Sequence, residues 1–276
     1  CGDNQIIRVQ VLYTLTSTHI VLRIKHELYL LSVQAYTIIV HYKFAWISGG
    51  KSMKVLFVNG SSHKNGTTMQ AVKEMQKVFE SQNIETEVIQ LGNKPIQDCI
   101  QCGYCYTHAK CVFNDDVNEF IEKAKEADGF FFTTPVYYAH PSGRILSFLD
   151  RVFYAAGSIE ENPFKFKPGA SVAVARRGGT TASFDVLNKY FGISEMPIAG
   201  STYWNISHGA VAEDAAKDLE GMQTMRNLAK NMIWMMRSFA LAKENGIPYP
   251  DTKKDAHTNL SLIHISEPTR QAEISY

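Results

Sequence analysis

The sequence lacks a marked excess of either charge and a long uninterrupted apolar run. Its 28 Lys and Arg residues are balanced by 27 Asp and Glu residues, which gives a net charge of +1. This balance gives no electrostatic reason to expect nucleic acid or an anionic membrane surface as a partner. The apolar stretch 28–40 is shorter than the roughly 20 residues that span a bilayer, and His41 and Lys43 interrupt its extension.

Cysteine is scarce outside one short segment. The chain has five cysteines, and four of them lie between positions 99 and 111. An odd total with local clustering does not fit the disulfide framework of a secreted protein. Residues 1–52 also lack the basic-then-apolar layout and small-residue cleavage site of a signal peptide. We therefore expect a reduced, cytoplasmic setting.

The two ends of the chain differ from its middle. Met53 directly precedes the first predicted strand, so we expect the native protein to begin there. Residues 1–52 would then be translated upstream sequence or a fusion scar, and the alternative is an extra hairpin or a membrane-associated segment. The segment 256–276 is predicted to be an artefactual tail, because 261–276 resembles sequencing-adaptor read-through. The predicted domain spans 53–255.

The segment 54–68, KVLFVNGSSHKNGTT, predicts a phosphate site. Its apolar first part, bounded by Gly60, is typical of a buried strand in a parallel sheet. A hydroxyl-rich loop follows, and an amphipathic helix is predicted from Met69 onward. The unpaired N–H groups and partial positive charge of a helix N-terminus, together with hydroxyl donors, suit an anionic oxygen. An ordinary capped helix after a Ser-rich turn would show the same pattern.

Two common phosphate loops do not fit this segment. A Walker loop requires Lys after its second Gly, and here Thr67 follows Gly66. The dinucleotide fingerprint requires three glycines, and only Gly60 and Gly66 are present. What remains fits a terminal monophosphate such as that of FMN at the carboxyl edge of a doubly wound sheet.

The middle of the chain alternates between strand and helix patterns. Further strands are predicted at 84–91, 129–134, 170–175 and within 197–204, and helices at 69–82, 117–127, 144–156, 184–191 and 214–244. This alternation predicts an α/β fold with a doubly wound, five-stranded parallel sheet and helices on both faces.

Two further loops follow predicted strands and suit a flat heterocycle. In 134–143, TPVYYAHPSG, Pro135 fixes the backbone, and Tyr137 or Tyr138 can stack on a ring. In 176–181, RRGGTT, the glycines permit close approach, and arginine can stabilise negative charge on a reduced flavin. Since the ends of parallel strands share one edge of a sheet, these loops and the hydroxyl-rich loop are expected to meet.

Several runs together resemble the flavodoxin-like NADPH-dependent FMN reductase family, including its iron–sulfur flavoprotein branch. They are KVLFVNGSSHKNGTT, CIQCGYC, FFFTTPVYYAHPSG, LDRVFY and VAVARRGGTTASFDVLNKYF. The resemblance covers about 53–255 and implies a flavodoxin-like fold with bound FMN. It assigns Ser61, Ser62, Asn65, Thr67 and Thr68 to the phosphate, Pro135, Val136, Tyr137 and Tyr138 to the isoalloxazine, and Arg176, Gly178, Gly179 and Thr180 to its other side.

The resemblance also implies an activity. A nicotinamide, NADH or NADPH, would reduce FMN, and electrons would pass to a quinone, a free flavin or another small acceptor. The catalytic chemistry belongs to the flavin, so no catalytic side chain is assigned. The family's usual assembly is a homodimer or homotetramer with FMN near the interface. The alternative is a non-enzymatic flavodoxin-like module, which the near-neutral charge disfavours because such carriers are normally acidic.

The four clustered cysteines, Cys99, Cys102, Cys105 and Cys111, follow the spacing Cys-x2-Cys-x2-Cys-x5-Cys. Such spacing suits a [4Fe-4S] cluster of the ferredoxin type, and the resemblance to iron–sulfur flavoproteins implies electron relay between ferredoxin and FMN. Zinc is a weaker alternative, because structural zinc sites usually use two separated Cys pairs. A cysteine-rich loop without metal is the third alternative.

Overall fold

A computed structural model describes residues 52–253 and residue 256. The elements in chain order are β1 (Lys54–Asn59), α1 (Thr67–Glu80), β2 (Glu85–Gln90), α2 (Tyr104–His108), α3 (Asp116–Glu126), β3 (Gly129–Tyr137), β4 (His140–Pro141), α4 (Gly143–Ala156), β5 (Gly169–Ala175), α5 (Thr180–Ile193), β6 (Ile206–His208), α6 (Ala212–Lys217) and α7 (Leu219–Glu244). The predicted extension over 1–52, apart from Ser52, and the tail, apart from Ala256, lie outside the described residues.

The sheet confirms the predicted topology. Its strand order is β2-β1-β3-β5-β6 with every pair parallel, and the two-residue β4 adds a sixth, antiparallel strand beside β3. This order of five parallel strands is the one found in flavodoxin. The carboxyl ends of β1, β3 and β5 therefore lie side by side at one edge of the sheet.

The core has two parts, one on each face of the sheet. Helices α3, α4 and α5 pack over one face, and α1 and α7 pack over the other. Strand β3 supplies both parts in alternation: Phe130 and Phe132 belong to the first, and Phe131 belongs to the second, where it stacks on Phe57 at 4.6 Å. Each fully buried Phe contributes about 1.5–3 kcal/mol, so this alternation fixes the register of β3.

Two predicted elements were wrong in position or extent. The fifth parallel strand is Ile206–His208 and not part of 197–204, where Ile198 forms only an isolated bridge with Gly169. The predicted helix 214–244 is two helices separated at Asp218. The Asp218 carboxylate accepts hydrogen bonds from the N–H groups of Gly221 and His208, so it caps α7 and ties it to β6.

Helix α2 was not predicted, and α5 begins at Thr180 rather than at 184. Within the described part of the chain, no helix combines the length and the apolar character needed to cross a membrane.

Candidate functional site

Ser142 joins the loop after β1 to the loop after β3. Its Oγ donates to the carbonyl oxygen of Gly60 at 2.8 Å and accepts from the N–H of Ile145 at 3.3 Å, so it also caps α4. A Cβ on Gly60 would lie 2.8 Å from the Ile145 Cβ, a contact that only glycine avoids. Sequence reasoning missed Ser142, although Ser directly before a helical pattern is an N-cap signal.

The start of the hydroxyl-rich loop is fixed by two amides. The Asn59 Oδ1 accepts from the N–H of Ser61 at 3.1 Å, and the Asn59 Nδ2 donates to the Gln90 Oε1 at 2.8 Å. The Gln90 Nε2 in turn donates to the carbonyl oxygen of Ser61 at 2.6 Å. The ends of β1 and β2 therefore hold the backbone of Ser61 in one position before any ligand binds.

The N-terminus of α1 is the candidate phosphate site. Gly66 occupies the N-cap position and, among the described residues, no side chain caps the helix. Thr68 in the first turn is fully buried, yet its Oγ1 has no hydrogen-bond partner within 52–253. Leaving a buried hydroxyl unpaired costs about 1–3 kcal/mol. These free donors fit the phosphate of FMN. Of the other residues predicted there, Thr67 is half-buried and Asn65 is exposed.

Tyr137 connects the second loop to the first. A hydrogen bond of 3.1 Å joins its hydroxyl to the Ser62 Oγ. Partial burial raises the pKa of Tyr137, but hydrogen bonds with Ser62 and Ser61 and the charge of Arg144 outweigh that effect, so the pKa lies below its ordinary value. Sequence reasoning missed Arg144, whose Nε is buried and, among the described residues, without a partner.

The other predicted residues of the second loop differ in how far they are exposed to solvent. Pro135 is buried and Val136 half-buried, both inside β3, which continues to Tyr137. Tyr138 is fully exposed and has a φ of +62°, a backbone conformation uncommon for a bulky residue. The structure thus brings Tyr137 against the hydroxyl-rich loop and leaves the Tyr138 ring in solvent.

Gly179 brings the third loop against the second. Its φ is +92°, and a Cβ built there would lie 2.8 Å from the Val136 Cγ1. Thr180 follows as the buried first residue of α5. Arg176 and Gly178 are exposed. The three loops therefore form one continuous edge, with Ser62, Tyr137, Val136 and Gly179 as their contact points.

All four clustered cysteines line one shallow pocket, which opens to solvent. Cys99 and Cys102 are exposed, Cys105 is buried, Cys111 is half-buried, and all are free thiols. Among residues 52–253 and 256, no three His, Cys, Asp or Glu side chains are grouped so that they could hold a single metal ion. Four thiols that line one pocket are nevertheless the donor set that a [4Fe-4S] cluster uses.

Arg151 of α4 forms the inner wall of this pocket and is only 2% exposed. Its guanidinium makes two hydrogen bonds of 2.7 Å to the Asp115 carboxylate. Its Nε donates to the Cys111 Sγ at 3.2 Å. Burial lowers the pKa of Arg151, but the bonds with Asp115 and Cys111 outweigh it and raise the pKa above its ordinary value. The Arg151 guanidinium therefore stays positively charged beside the Cys111 thiol.

This strand order, with a hydroxyl-rich loop leading into an uncapped helix N-terminus at the carboxyl edge, defines a flavodoxin-like protein with a candidate site for a phosphorylated ligand. Residues 53–211 match the model of the NADPH-dependent FMN reductase family. The chain belongs to this family, and it is a flavin-dependent oxidoreductase that uses FMN.

Individual relatives agree with this assignment. The iron-sulfur flavoprotein MJ1083 of Methanocaldococcus jannaschii is 32% identical over 187 residues, which cover 65% of this chain and 95% of the relative. The iron-sulfur flavoprotein of Methanosarcina thermophila is 27% identical over 184 residues, or 65% of this chain and 93% of the relative. Among solved structures, the flavoenzyme NAD(P)H:(acceptor) oxidoreductase FerB from Paracoccus denitrificans matches in fold, with a TM-score of 0.52, 17% identity, and coverage of 67% and 98%.

Proposed function

We propose that this protein oxidises NADH or NADPH through bound FMN and delivers the electrons to a quinone, a flavin or another small acceptor. The observation that supports this best is the unpaired, buried Thr68 hydroxyl at the uncapped N-terminus of α1. An unpaired donor inside a protein is unfavourable unless a ligand engages it. A phosphate monoester satisfies such donors without a metal ion.

The side chains of the three loops have separate tasks in this proposal. Ser61, Ser62, Thr67 and Thr68 bind the phosphate and so fix one end of FMN. The flat ring lies at the second and third loops, which the contact between Val136 and Gly179 holds together. When bound, FMN supplies the hydride and electron chemistry. The exposed Arg176 provides a cation near the ring, where reduction adds negative charge.

Anaerobic spectroscopy tests the proposal. The purified protein reconstituted with FMN should show flavin absorption, and NADH or NADPH should remove that absorption in the absence of oxygen. A protein that remains colourless after reconstitution would refute the proposal. FMN binding without oxidation of either nicotinamide, whatever acceptor is added, would instead identify a non-enzymatic flavodoxin-like module.

The cysteine pocket favours a second candidate, an iron–sulfur flavoprotein with a [4Fe-4S] cluster that exchanges electrons between ferredoxin and FMN. Two observations support this candidate. Four free thiols line one pocket, and the relatives of the chain include iron-sulfur flavoproteins. The test is about four iron atoms per chain after anaerobic reconstitution. Replacing both Cys102 and Cys105 with Ser should remove the iron and leave FMN bound.

We also propose a cytoplasmic homodimer or homotetramer. Free thiols in one pocket suit a reducing compartment, and exposed aromatic side chains such as Trp234 are available for contact between subunits. Light scattering coupled to size-exclusion chromatography would test the assembly, and a monomer at micromolar concentration would refute it.

A further inference from the structure

Both ends of the cysteine segment converge on one guanidinium. The Arg151 Nη1 donates to the carbonyl oxygen of Gln97 at 3.2 Å, two residues before Cys99. The Arg151 Nε donates to the Sγ of Cys111, the last cysteine, at 3.2 Å. A single side chain from α4 therefore joins the beginning and the end of the segment that carries all four thiols.

The guanidinium is itself held in one orientation. Asp115 accepts from both terminal nitrogens of Arg151, and the Phe113 ring lies 4.8 Å from the guanidinium carbon. A bidentate arginine–carboxylate pair fixes geometry as well as charge. Because the side chain is buried, its N–H groups cannot exchange these partners for water. The Nε–H bond to sulfur is therefore a fixed feature of the site.

The backbone of Cys111 is also held by a side chain of α3. The Asn118 Oδ1 accepts from the N–H of Cys111 at 2.8 Å, and the Asn118 Nδ2 donates to its carbonyl oxygen at 3.0 Å. Cys99 and Cys102, by contrast, are exposed. In this segment the Sγ of Cys111 is therefore held in position, whereas Cys99 and Cys102 are exposed to solvent.

Helix α4 connects this pocket to the flavin loops. Ser142 caps its N-terminus and contacts the hydroxyl-rich loop, whereas Arg151 lies nine residues further along the same helix. At 1.5 Å per residue, that separation is about 13 Å along the helix axis. A rigid helix therefore fixes the position of Cys111 relative to the FMN site.

We propose that Arg151 is a positioning residue of the four-cysteine site. It presets Cys111 as a ligand, and its hydrogen bond to the sulfur raises the reduction potential of the iron centre that the cysteines bind. Hydrogen bonds to ligand sulfurs favour the more negative, reduced state of a cluster. This inference rests on the cluster described under the proposed function.

The test uses the full chain reconstituted anaerobically with iron, sulfide and FMN. Arg151→Lys keeps the positive charge but loses the planar fork, so it cannot bond Asp115, Gln97 and Cys111 together. Arg151→Met removes charge and donors. Lys110→Met is the matched control, because it removes an exposed positive charge next to Cys111 in sequence.

Both Arg151 variants should show a more negative midpoint potential in a redox titration followed by electron paramagnetic resonance, with the larger shift in Arg151→Met. Iron content should fall in the same order, FMN content should stay at the wild-type level, and Lys110→Met should match wild type. Should Arg151→Met fail to fold, Arg151→Lys decides the question. If the Arg151→Lys protein binds iron and has the wild-type midpoint potential, the proposed role of Arg151 is wrong, whereas the proposal of a cluster is not affected. A wild-type protein that binds no iron would overturn the cluster and this inference together.

Alkylation of the iron-free protein provides a readout that needs no cluster. A small alkylating reagent followed by mass spectrometry should label Cys99 and Cys102 before Cys111 in the wild type. Arg151→Lys should speed the labelling of Cys111 alone. Equal labelling rates for the three thiols in the wild type would contradict a preset Cys111.

Discussion

Thr68→Val should have opposite effects on the empty protein and on its complex with FMN. Valine has nearly the shape of threonine but lacks the hydroxyl, which is buried and without a partner among the described residues. Removing that unpaired group should stabilise the empty protein, since leaving it unpaired costs about 1–3 kcal/mol. Val and Thr have similar helix propensities, so the hydroxyl should dominate the change.

The magnitude follows from the charge of the ligand. A hydrogen bond to a charged oxygen contributes about 1.5–3 kcal/mol, and each 1.4 kcal/mol is tenfold in affinity. Thr68→Val should therefore weaken FMN binding by about 10- to 150-fold. Riboflavin lacks the phosphate, so its affinity should not change. The empty variant should gain about 1 kcal/mol, or about 2–4 °C in Tm for a domain of this size.

Isothermal titration calorimetry with FMN and with riboflavin measures the affinity ratio, and urea denaturation of the flavin-free protein measures stability. Ser183→Ala is the matched control, because Ser183 is a second buried hydroxyl without a partner in the described chain. It should raise stability without changing the ratio of FMN to riboflavin affinity. Equal weakening of both ligands by Thr68→Val, or a less stable empty variant, would show that this hydroxyl does not face the phosphate.

Three further substitutions test the loops and the contact between α1 and α7. Gly179→Ala puts a Cβ 2.8 Å from the Val136 Cγ1 at a φ of +92°, so urea denaturation should show a loss of about 2 kcal/mol. Tyr137→Phe removes the bond between two loops and should weaken FMN about fivefold by calorimetry, since a neutral hydrogen bond contributes about 1 kcal/mol. Glu74→Gln breaks the ion pairs with Lys77 and Arg226 and should lower the free energy of unfolding by about 1 kcal/mol at pH 7. Burial raises the pKa of Glu74, but neighbouring cations outweigh it and hold the pKa below its ordinary 4.5. The stability that the carboxylate adds is present above pH 4.5 and disappears as the pH falls through the lowered pKa, so the two proteins should converge in acid.

Neighbouring residues provide controls for each substitution. Gly178→Ala should be nearly neutral, because within the described residues no atom lies within 4 Å of its added Cβ. Tyr138→Phe removes the hydroxyl of a fully exposed residue and is the control for Tyr137→Phe. Glu80→Gln removes an exposed carboxylate from the helix that also carries Glu74, and it is the control for Glu74→Gln. If Gly179→Ala is as stable as Gly178→Ala, the two loops do not touch. A pH-independent difference for Glu74→Gln would refute the ion-pair explanation.

The parts of the fold that were predicted from sequence are those with a local signal. The apolar run of β1 and the helical spacing of α1 are visible in consecutive residues, and their predicted positions were within two residues of the observed ones. The position of β6 was wrong because a three-residue strand has too few side chains to show alternation. The break at Asp218 was missed because its partners Ser207 and His208 lie in another element.

The sequence by itself determined the class of fold, the order of its elements and the three loops at the carboxyl edge of the sheet, because apolar periodicity and turn residues act over short distances along the chain. Only the tertiary structure decided which side chains meet. Asn59 forms a hydrogen bond with Gln90, which is 31 positions away in the sequence, and Arg151 forms one with Cys111, which is 40 positions away. These hydrogen bonds form only once the strands of the sheet and helix α4 have packed together. That packing depends on the shapes of many side chains and on which of them are buried, and no single stretch of residues encodes it. That the three loops meet at one edge of the sheet was therefore predictable, whereas the arginine that joins the cysteine segment to the core was not.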